Sequence, residues 1–237
     1  MAPKAKIVYR CSNCNARYPK WQGRCTQCQT WDSLVEEVTA PTPATSLSRG
    51  KPGQVVSFAD VSGGDVDKIP TGIGEFDRVV GGGLSRGSLT LLGGEPGIGK
   101  STLVLQVADR IAAVTKQPVL YISGEESAGQ IKDRITRLGL APAHFSYLGA
   151  QDAATIAATI ADLRPPLAIV DSIQTVRAEG LGSEAGSVGQ IRTATATLVD
   201  VGKATNTAIL IIGHITKAGA VAGPKTLEHL VDTVVYL

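Results

Sequence analysis

Aromatic side chains make up only 4% of these 237 residues, and methionine occurs once. A core so poor in rings has to be filled by Val, Ile, Leu and Ala, and the 43% hydrophobic content supplies enough of them. No apolar run approaches the roughly 20 residues of a membrane-spanning helix. The opening Met1-Ala2-Pro3-Lys4-Ala5-Lys6 lacks the apolar segment of a secretory signal. Net charge is only +2, so a nucleic-acid contact must come from local patches rather than bulk charge. Cysteine is missing after position 28. A cytoplasmic protein is expected, with one large α/β unit and a small module.

The four cysteines form two C-x2-C pairs, Cys11 with Cys14 and Cys25 with Cys28, separated by ten residues. A tetrahedral Zn²⁺ takes four thiolates at about 2.3 Å, and two such turns each offer two. A segment this small cannot fold on its own core, so the metal would supply the folding energy. Disulfides conflict with a cytosolic setting. A redox pair rarely comes doubled without a βαβ unit around it. Zinc is therefore the expected ligand of a module spanning 1–35. Lys4, Lys6, Arg10, Arg17, Lys20 and Arg24 make it basic. That charge suits a nucleic-acid or protein contact, or simply offsets the thiolates. Trp21 and Trp31 are expected to form its small core. Residues 36–56, rich in Pro, Thr, Ser and Gly, read as a flexible linker.

The main domain, 57–237, turns on Gly94-Glu95-Pro96-Gly97-Ile98-Gly99-Lys100-Ser101-Thr102. This stretch follows the apolar run Leu89–Leu92 and opens a helical pattern, which is the setting of a phosphate-binding loop. Its amides can wrap an anion at a helix N-terminus. Lys100 can reach the outer phosphates of a nucleoside triphosphate, and the Ser101 hydroxyl can ligate Mg²⁺. Upstream, Ile73, Phe76, Val79 and Val80 suit one face of a short helix stopped by Gly81-Gly82-Gly83.

Downstream, buried-type strands alternate with helices, which predicts a mostly parallel sheet covered on both faces. Val119–Ser123 runs into Gly124-Glu125-Glu126-Ser127, placing carboxylates at a strand's carboxyl end, where ligands of open α/β sheets bind. Glu125 can deprotonate water, while Glu126 favours the dipole of a helix at 128–138. A short strand at 145–148 and a helix over 152–163 capped by Asp152 follow. Leu167-Ala168-Ile169-Val170-Asp171 matches a Walker B strand, with Asp171 in the magnesium shell. Residues 174–189 read as a mobile loop, and 188–204 as a helix carrying Arg192. A strand at 207–212 leads to His214 and a second loop with Lys217 and Lys225. A short helix at 226–231 and a strand at 233–237 close the chain.

These motifs together resemble those of the bacterial RadA (Sms) family of recombination and repair ATPases, relatives of RecA and of DnaB-type helicases. The resemblance rests on the paired C-x2-C ahead of Trp31, and on Thr71-Gly72-Ile73-Gly74-Glu75 leading to the glycine triplet. The phosphate loop, Tyr121-Ile122-Ser123-Gly124-Glu125-Glu126-Ser127 and Leu227-Glu228-His229-Leu230-Val231-Asp232 complete it. It implies a RecA-like P-loop ATPase that forms a homo-oligomeric ring, a hexamer by analogy, on single-stranded or branched DNA. RecA is the implied partner. By the same resemblance Glu125 is the catalytic glutamate and Lys100 acts on the phosphates. His214 becomes a nucleotide sensor, and Lys217, Lys225 and Arg192 become candidate DNA contacts. Members of that family continue into a Lys-Asn-Arg-Phe-Gly motif and a Lon-protease-like domain, so a fragment that turns over slowly is expected. A rival reading, an ATP-gated scaffold of the KaiC-like kind, shares the core and the paired glutamates but not the zinc module.

Overall fold

The computed structural model describes residues 6–14, 16–39, 57, 67–179, 184–214 and 227–237. They fall into two compact units, Met1–Ser62 and Gly63–Leu237.

The first unit is a three-stranded antiparallel sheet in the order β2-β1-β3, with β1 at Lys6–Cys11, β2 at Arg17–Tyr18 and β3 at Leu34–Thr39. Cys11 pairs with Leu34 at one end of the β1–β3 ladder and Lys6 with Thr39 at the other. Strand pairing thus extends through Glu36–Thr39, which the composition assigned to the linker. Ladder hydrogen bonds to β1 hold a stretch that lacks an apolar pattern of its own. The rest of the expected linker, 40–56, lies outside the described residues. The small core consists of Cys11, Cys25 and Leu34, with Tyr9, Ala16 and Tyr18 packed against it. The two tryptophans are not part of it: Trp21 is 58% and Trp31 71% exposed.

In the second unit, β4 (Lys68–Ile69), α1 (Gly74–Val79) and β5 (Leu84–Ser85) form a small antiparallel entry to the main sheet. The sheet is then built from β6 (Leu89–Gly94), α2 (Lys100–Thr115), β7 (Val119–Ser123), α3 (Ala128–Arg137), β8 (Phe145–Leu148), α4 (Ala153–Leu163), β9 (Leu167–Asp171), α5 (Val188–Thr205), β10 (Ala208–His214) and β11 (Thr233–Tyr236). Its six strands run in the order β11-β6-β10-β9-β7-β8, and every pairing is parallel.

Successive strand residues face opposite sides, and both sides are covered. Leu92, Tyr121, Ile169, Leu210 and Ile212 pack with Val104, Leu105, Ile111 of α2 and Ile131, Ile135 of α3. The intervening Leu91, Leu120, Ile122, Val170, Ile209 and Ile211 pack with Ile156, Ile160 of α4 and Ile191, Leu198 of α5. The expected α/β class and mostly parallel sheet are thus observed. Helix starts follow their caps: Ser127 and Gln130 form a reciprocal capping box on α3, and Asp152 accepts from the Thr155 N–H at 2.7 Å to open α4.

Two expectations fail here. The segment from 174 is not loose at its start, because Arg177 N–H donates to Gln151 O at 2.6 Å and Ala178 N–H to Gln190 Oε1 at 2.6 Å. Val176 is buried as a result. Leu227–Leu230 form a hydrogen-bonded turn rather than a helix. The chain must at once return to the sheet, where Asp232 N–H donates to Leu89 O and the Asp232 carboxylate accepts from Leu89 N–H at 2.8 Å.

The turn before α1 is fixed by Asp77, whose carboxylate accepts from Thr71 N–H (2.9 Å), the Thr71 hydroxyl (2.7 Å) and Gly72 N–H (2.9 Å). Thr71 is buried, so Asp77→Ala strands donors without water. We expect a loss of about 1–3 kcal/mol in stability. It should be read as a lower urea midpoint with an unchanged slope.

Candidate active site and metal centre

In the small unit the four sulfurs lie within 4.8 Å of one another. Cys11 Sγ is 3.5 Å from Cys28 Sγ, and Cys14 Sγ is 3.5 Å from Cys25 Sγ. A tetrahedron with bonds of about 2.3 Å has edges near 3.8 Å, so the donor set fits Zn²⁺ and is too open for disulfides. Cys28 is pulled down to about 5, first by its hydrogen bonds with the Thr30 side chain and backbone. Cys25 is lowered first by the backbone N–H of Cys28 and then by the Tyr18 hydroxyl, 3.2 Å away. Cys14, despite the Ala16 backbone directed at it, is pushed up to about 12 by burial and the neighbouring sulfurs. Some of the cluster is thus prepared as thiolate, while mutual repulsion opposes complete ionisation. A dication removes that repulsion, which is the electrostatic case for zinc here.

In the large unit, β6 ends at Gly94 and α2 begins at Lys100, with Gly97 at φ 79° and Gly99 at φ 106°. Side chains other than glycine rarely adopt that backbone, so these two positions allow the loop to curl over the helix N-terminus. Lys100 is 4% exposed and donates to Gly94 O at 3.0 Å and Glu95 O at 2.8 Å. Burial lowers its pKa, and the nearby Asp171 carboxylate works against that shift. Ser101 occupies the first turn of α2, half-buried.

Asp171 ends β9, half-buried rather than fully buried, and accepts from the Tyr121 hydroxyl at 2.6 Å. Tyr121 sits inside β7, and its pKa is raised first by burial and then by Asp171. Ser172, fully buried, donates its hydroxyl to Glu125 Oε1 at 2.8 Å. The Ser172–Glu125 hydrogen bond therefore joins the exits of β7 and β9, and Asp171, next to Ser172 in the chain, acts electrostatically on Lys100 of the phosphate loop.

The two glutamates differ in their surroundings. Glu126 is ion-paired with Arg134 of α3. Glu125 is exposed, takes the Ser172 hydroxyl, and borders an open cleft of about 470 Å³ with Tyr147 and Gln151. Glu126 thus serves α3 through Arg134, while the helix itself is capped by Ser127.

Ser172 and Tyr121 do not stand out in the sequence as site residues. The signals for them are a hydroxyl directly after the Walker B aspartate and one ring in an otherwise aliphatic strand. His214 ends β10 opposite Gly94 in the ladder. Arg192 is exposed on α5. Lys217 and Lys225 lie outside the described residues.

A phosphate loop on an all-parallel sheet, with a strand-end aspartate beside its lysine, defines a P-loop nucleotide-binding domain, here joined to a zinc ribbon. Comparison with known families agrees. The AAA domain family matches residues 60–220, and the rubredoxin metal binding domain matches residues 9–36. The chain belongs to the AAA domain family, and the likeness to RadA proteins read from its motifs is borne out. It is 44% identical over 236 residues to the DNA repair protein RadA of Pseudomonas aeruginosa, covering 98% of this chain and 52% of that protein. Identity to the DNA repair protein RadA of Halalkalibacterium halodurans is 45% over 237 residues, and to that of Bacillus subtilis 42% over 241. Each match covers 98% of this chain and 52% of the relative, so the chain spans about half the length of these proteins. Among the described residues, no helix is long and apolar enough to cross a membrane.

The metal centre makes a direct prediction. Purified protein should carry about one zinc per chain. Cys25→Ser should release it and loosen the small unit, with nucleotide affinity of the large unit retained. Elemental analysis and calorimetric nucleotide titration on the same sample check both parts.

Proposed function

We propose that this chain is the zinc-ribbon and motor portion of a DNA-dependent ATPase acting in recombinational DNA repair. The observation that carries the reading is the exposed Glu125 carboxylate, held by buried Ser172, whose neighbour Asp171 acts electrostatically on Lys100. The names of the RadA relatives supply the biological setting.

ATP is the substrate. The amides of Gly97 to Thr102 receive its phosphates at the N-terminus of α2. Lys100 exchanges the Gly94 and Glu95 carbonyls for phosphate oxygens, whose negative charge offsets the cost of a buried ammonium. Ser101 and Asp171 would hold Mg²⁺, which neutralises charge developing across the β- and γ-phosphates. Glu125 accepts a proton from water as the water oxygen bonds to the γ-phosphorus and the bond to ADP breaks. The Ser172 hydroxyl fixes which way the carboxylate faces.

Within this proposal the chain works as a ring on single-stranded or branched DNA alongside RecA. His214, level with Gly94 in the sheet, reports the state of the phosphate loop to the segment carrying Lys217 and Lys225. Those lysines, with Arg192, contact DNA phosphates.

Three variants test the chemistry. Lys100→Ala should lose most nucleotide affinity. Glu125→Gln should bind ATP normally and suppress turnover. Ser172→Ala should keep affinity and lower kcat roughly ten- to a hundred-fold, the value of one hydrogen bond to a charged group. Normal hydrolysis by Glu125→Gln alongside an inactive Glu126→Gln would transfer the role to Glu126.

For the DNA interface, deleting one lysine–phosphate interaction should reduce the slope of log affinity against log salt by about 0.7 for single strands. Unchanged affinity and slope in the Lys217→Ala, Lys225→Ala double variant would remove these residues from the interface. Turnover that ignores single-stranded DNA, with ATP binding intact, would favour a nucleotide-gated scaffold instead.

A further inference from the structure

The zinc ribbon presents an outer face that neither the metal nor the nucleotide site uses. Trp21 and Trp31 are the only tryptophans in the chain, and both are more than half exposed. Indoles are normally kept at least partly from water, so two exposed on one small module form an apolar surface awaiting a ligand. They are close together. A Cβ placed on Gly23 would lie 3.8 Å from the Trp31 ring and 3.9 Å from the Trp21 ring.

The patch is also held rigidly. Arg24 and Trp31 form an antiparallel bridge, flanked by hydrogen bonds from Asp32 N–H to Gly23 O at 2.9 Å and from Cys25 N–H to Thr30 O at 3.0 Å. The Arg24 guanidinium lies 5.5 Å from the Trp31 ring centroid and donates at 2.8 Å to both Gln29 O and Gln29 Oε1. One indole is therefore backed by a fixed cation, and both are attached to the loop that carries Cys25 and Cys28.

The surrounding chemistry selects the ligand. Between Ser12 and Ser33 there is no Leu, Ile, Val or Met, whereas Gln22, Gln27 and Gln29 supply amides. A protein-binding surface normally adds aliphatic side chains to its aromatics, whereas the residues around these two in the sequence are polar or charged. Arg17, Lys20 and Arg24 give the stretch three cations against one anion, Asp32. Flat apolar rings surrounded by cations match the flat faces of nucleobases and their phosphates.

We propose that Trp21 and Trp31, with Arg24 and Lys20, form a stacking site for unpaired bases of single-stranded DNA on the zinc ribbon. This rests on DNA being the partner under the proposed function. It adds a second point of attachment, separate from the loops of the motor. Duplex DNA, whose bases are already stacked, is a poor ligand for such a site.

Because both tryptophans lie in the module, tryptophan emission excited selectively, beyond the absorption of the five tyrosines, reports on this face of the whole chain. Zinc-loaded protein is titrated with oligothymidylate while tryptophan emission and the anisotropy of a labelled oligomer are followed together. Quenching should saturate with the anisotropy signal. Trp31→Ala and Trp21→Ala should each weaken binding about five-fold or more, and Trp31→Phe should restore most of the loss. Lys20→Ala should lower the salt slope by about 0.7. Zinc content and nucleotide affinity should match the parent in every variant, which separates loss of stacking from loss of the fold. Oligomer binding without quenching, or with parental affinity in the double tryptophan variant, overturns the stacking site and leaves DNA binding to the motor loops. Absence of any oligomer binding overturns both this inference and the DNA reading of the function.

Discussion

The chemistry of the large unit depends on register. Ser123 of β7 stands opposite Asp171 of β9, and His214 of β10 opposite Gly94 of β6. The central strands are buried on both faces, so a slip of one residue would turn their aliphatic side chains to the wrong layer. The alternation of Leu91 with Leu92, of Leu120 with Tyr121 and of Val170 with Ile169 between the two cores locks this alignment. With it locked, the residues just past the strand ends have little freedom. Glu125 meets Ser172, Asp171 meets Tyr121, and the phosphate loop opens beside them.

That arrangement is readable from sequence to different depths. The phosphate loop, the strand-end aspartate and the four cysteines each declare themselves, since their chemistry demands particular residues at short spacing. The parallel sheet follows from aliphatic runs alternating with helical patterns. Ser172 and Tyr121 are not legible in the same way. Their importance comes from partners 47 and 50 positions away, and no local pattern reports such a distance. The tryptophans mislead for a related reason. Composition says they are the largest apolar groups in the module, but the sulfurs, Leu34 and the two tyrosines already fill its centre. Likewise, the polar Glu36–Thr39 stretch reads as linker until β1 is seen to pair with it.

The two units solve the problem of cohesion by different means. The larger one has enough Val, Ile, Leu and Ala to enclose two layers of core. The smaller has only a short sheet around buried Cys11 and Cys25, and its cohesion depends on a cation to offset the repulsion of four crowded sulfurs. A metal-held fold of that kind can leave its large rings outside, because they are not needed within.

Strand β6 carries the phosphate loop, yet both of its neighbours arrive late in the chain. On one side lies β10, and on the other β11, secured by a hydrogen bond between residues 143 positions apart, Leu89 and Asp232. During synthesis the segment that will grip ATP emerges early and remains an unpaired aliphatic ribbon until β10 and β11 have left the ribosome. Such non-local closure makes folding slow and exposes the nascent strand to misassociation. The same topology makes nucleotide binding a late event, since a loop cannot cradle phosphates before the strand beneath it is enclosed. The strand beneath the phosphate loop thus depends on both β10 and β11 for its closure.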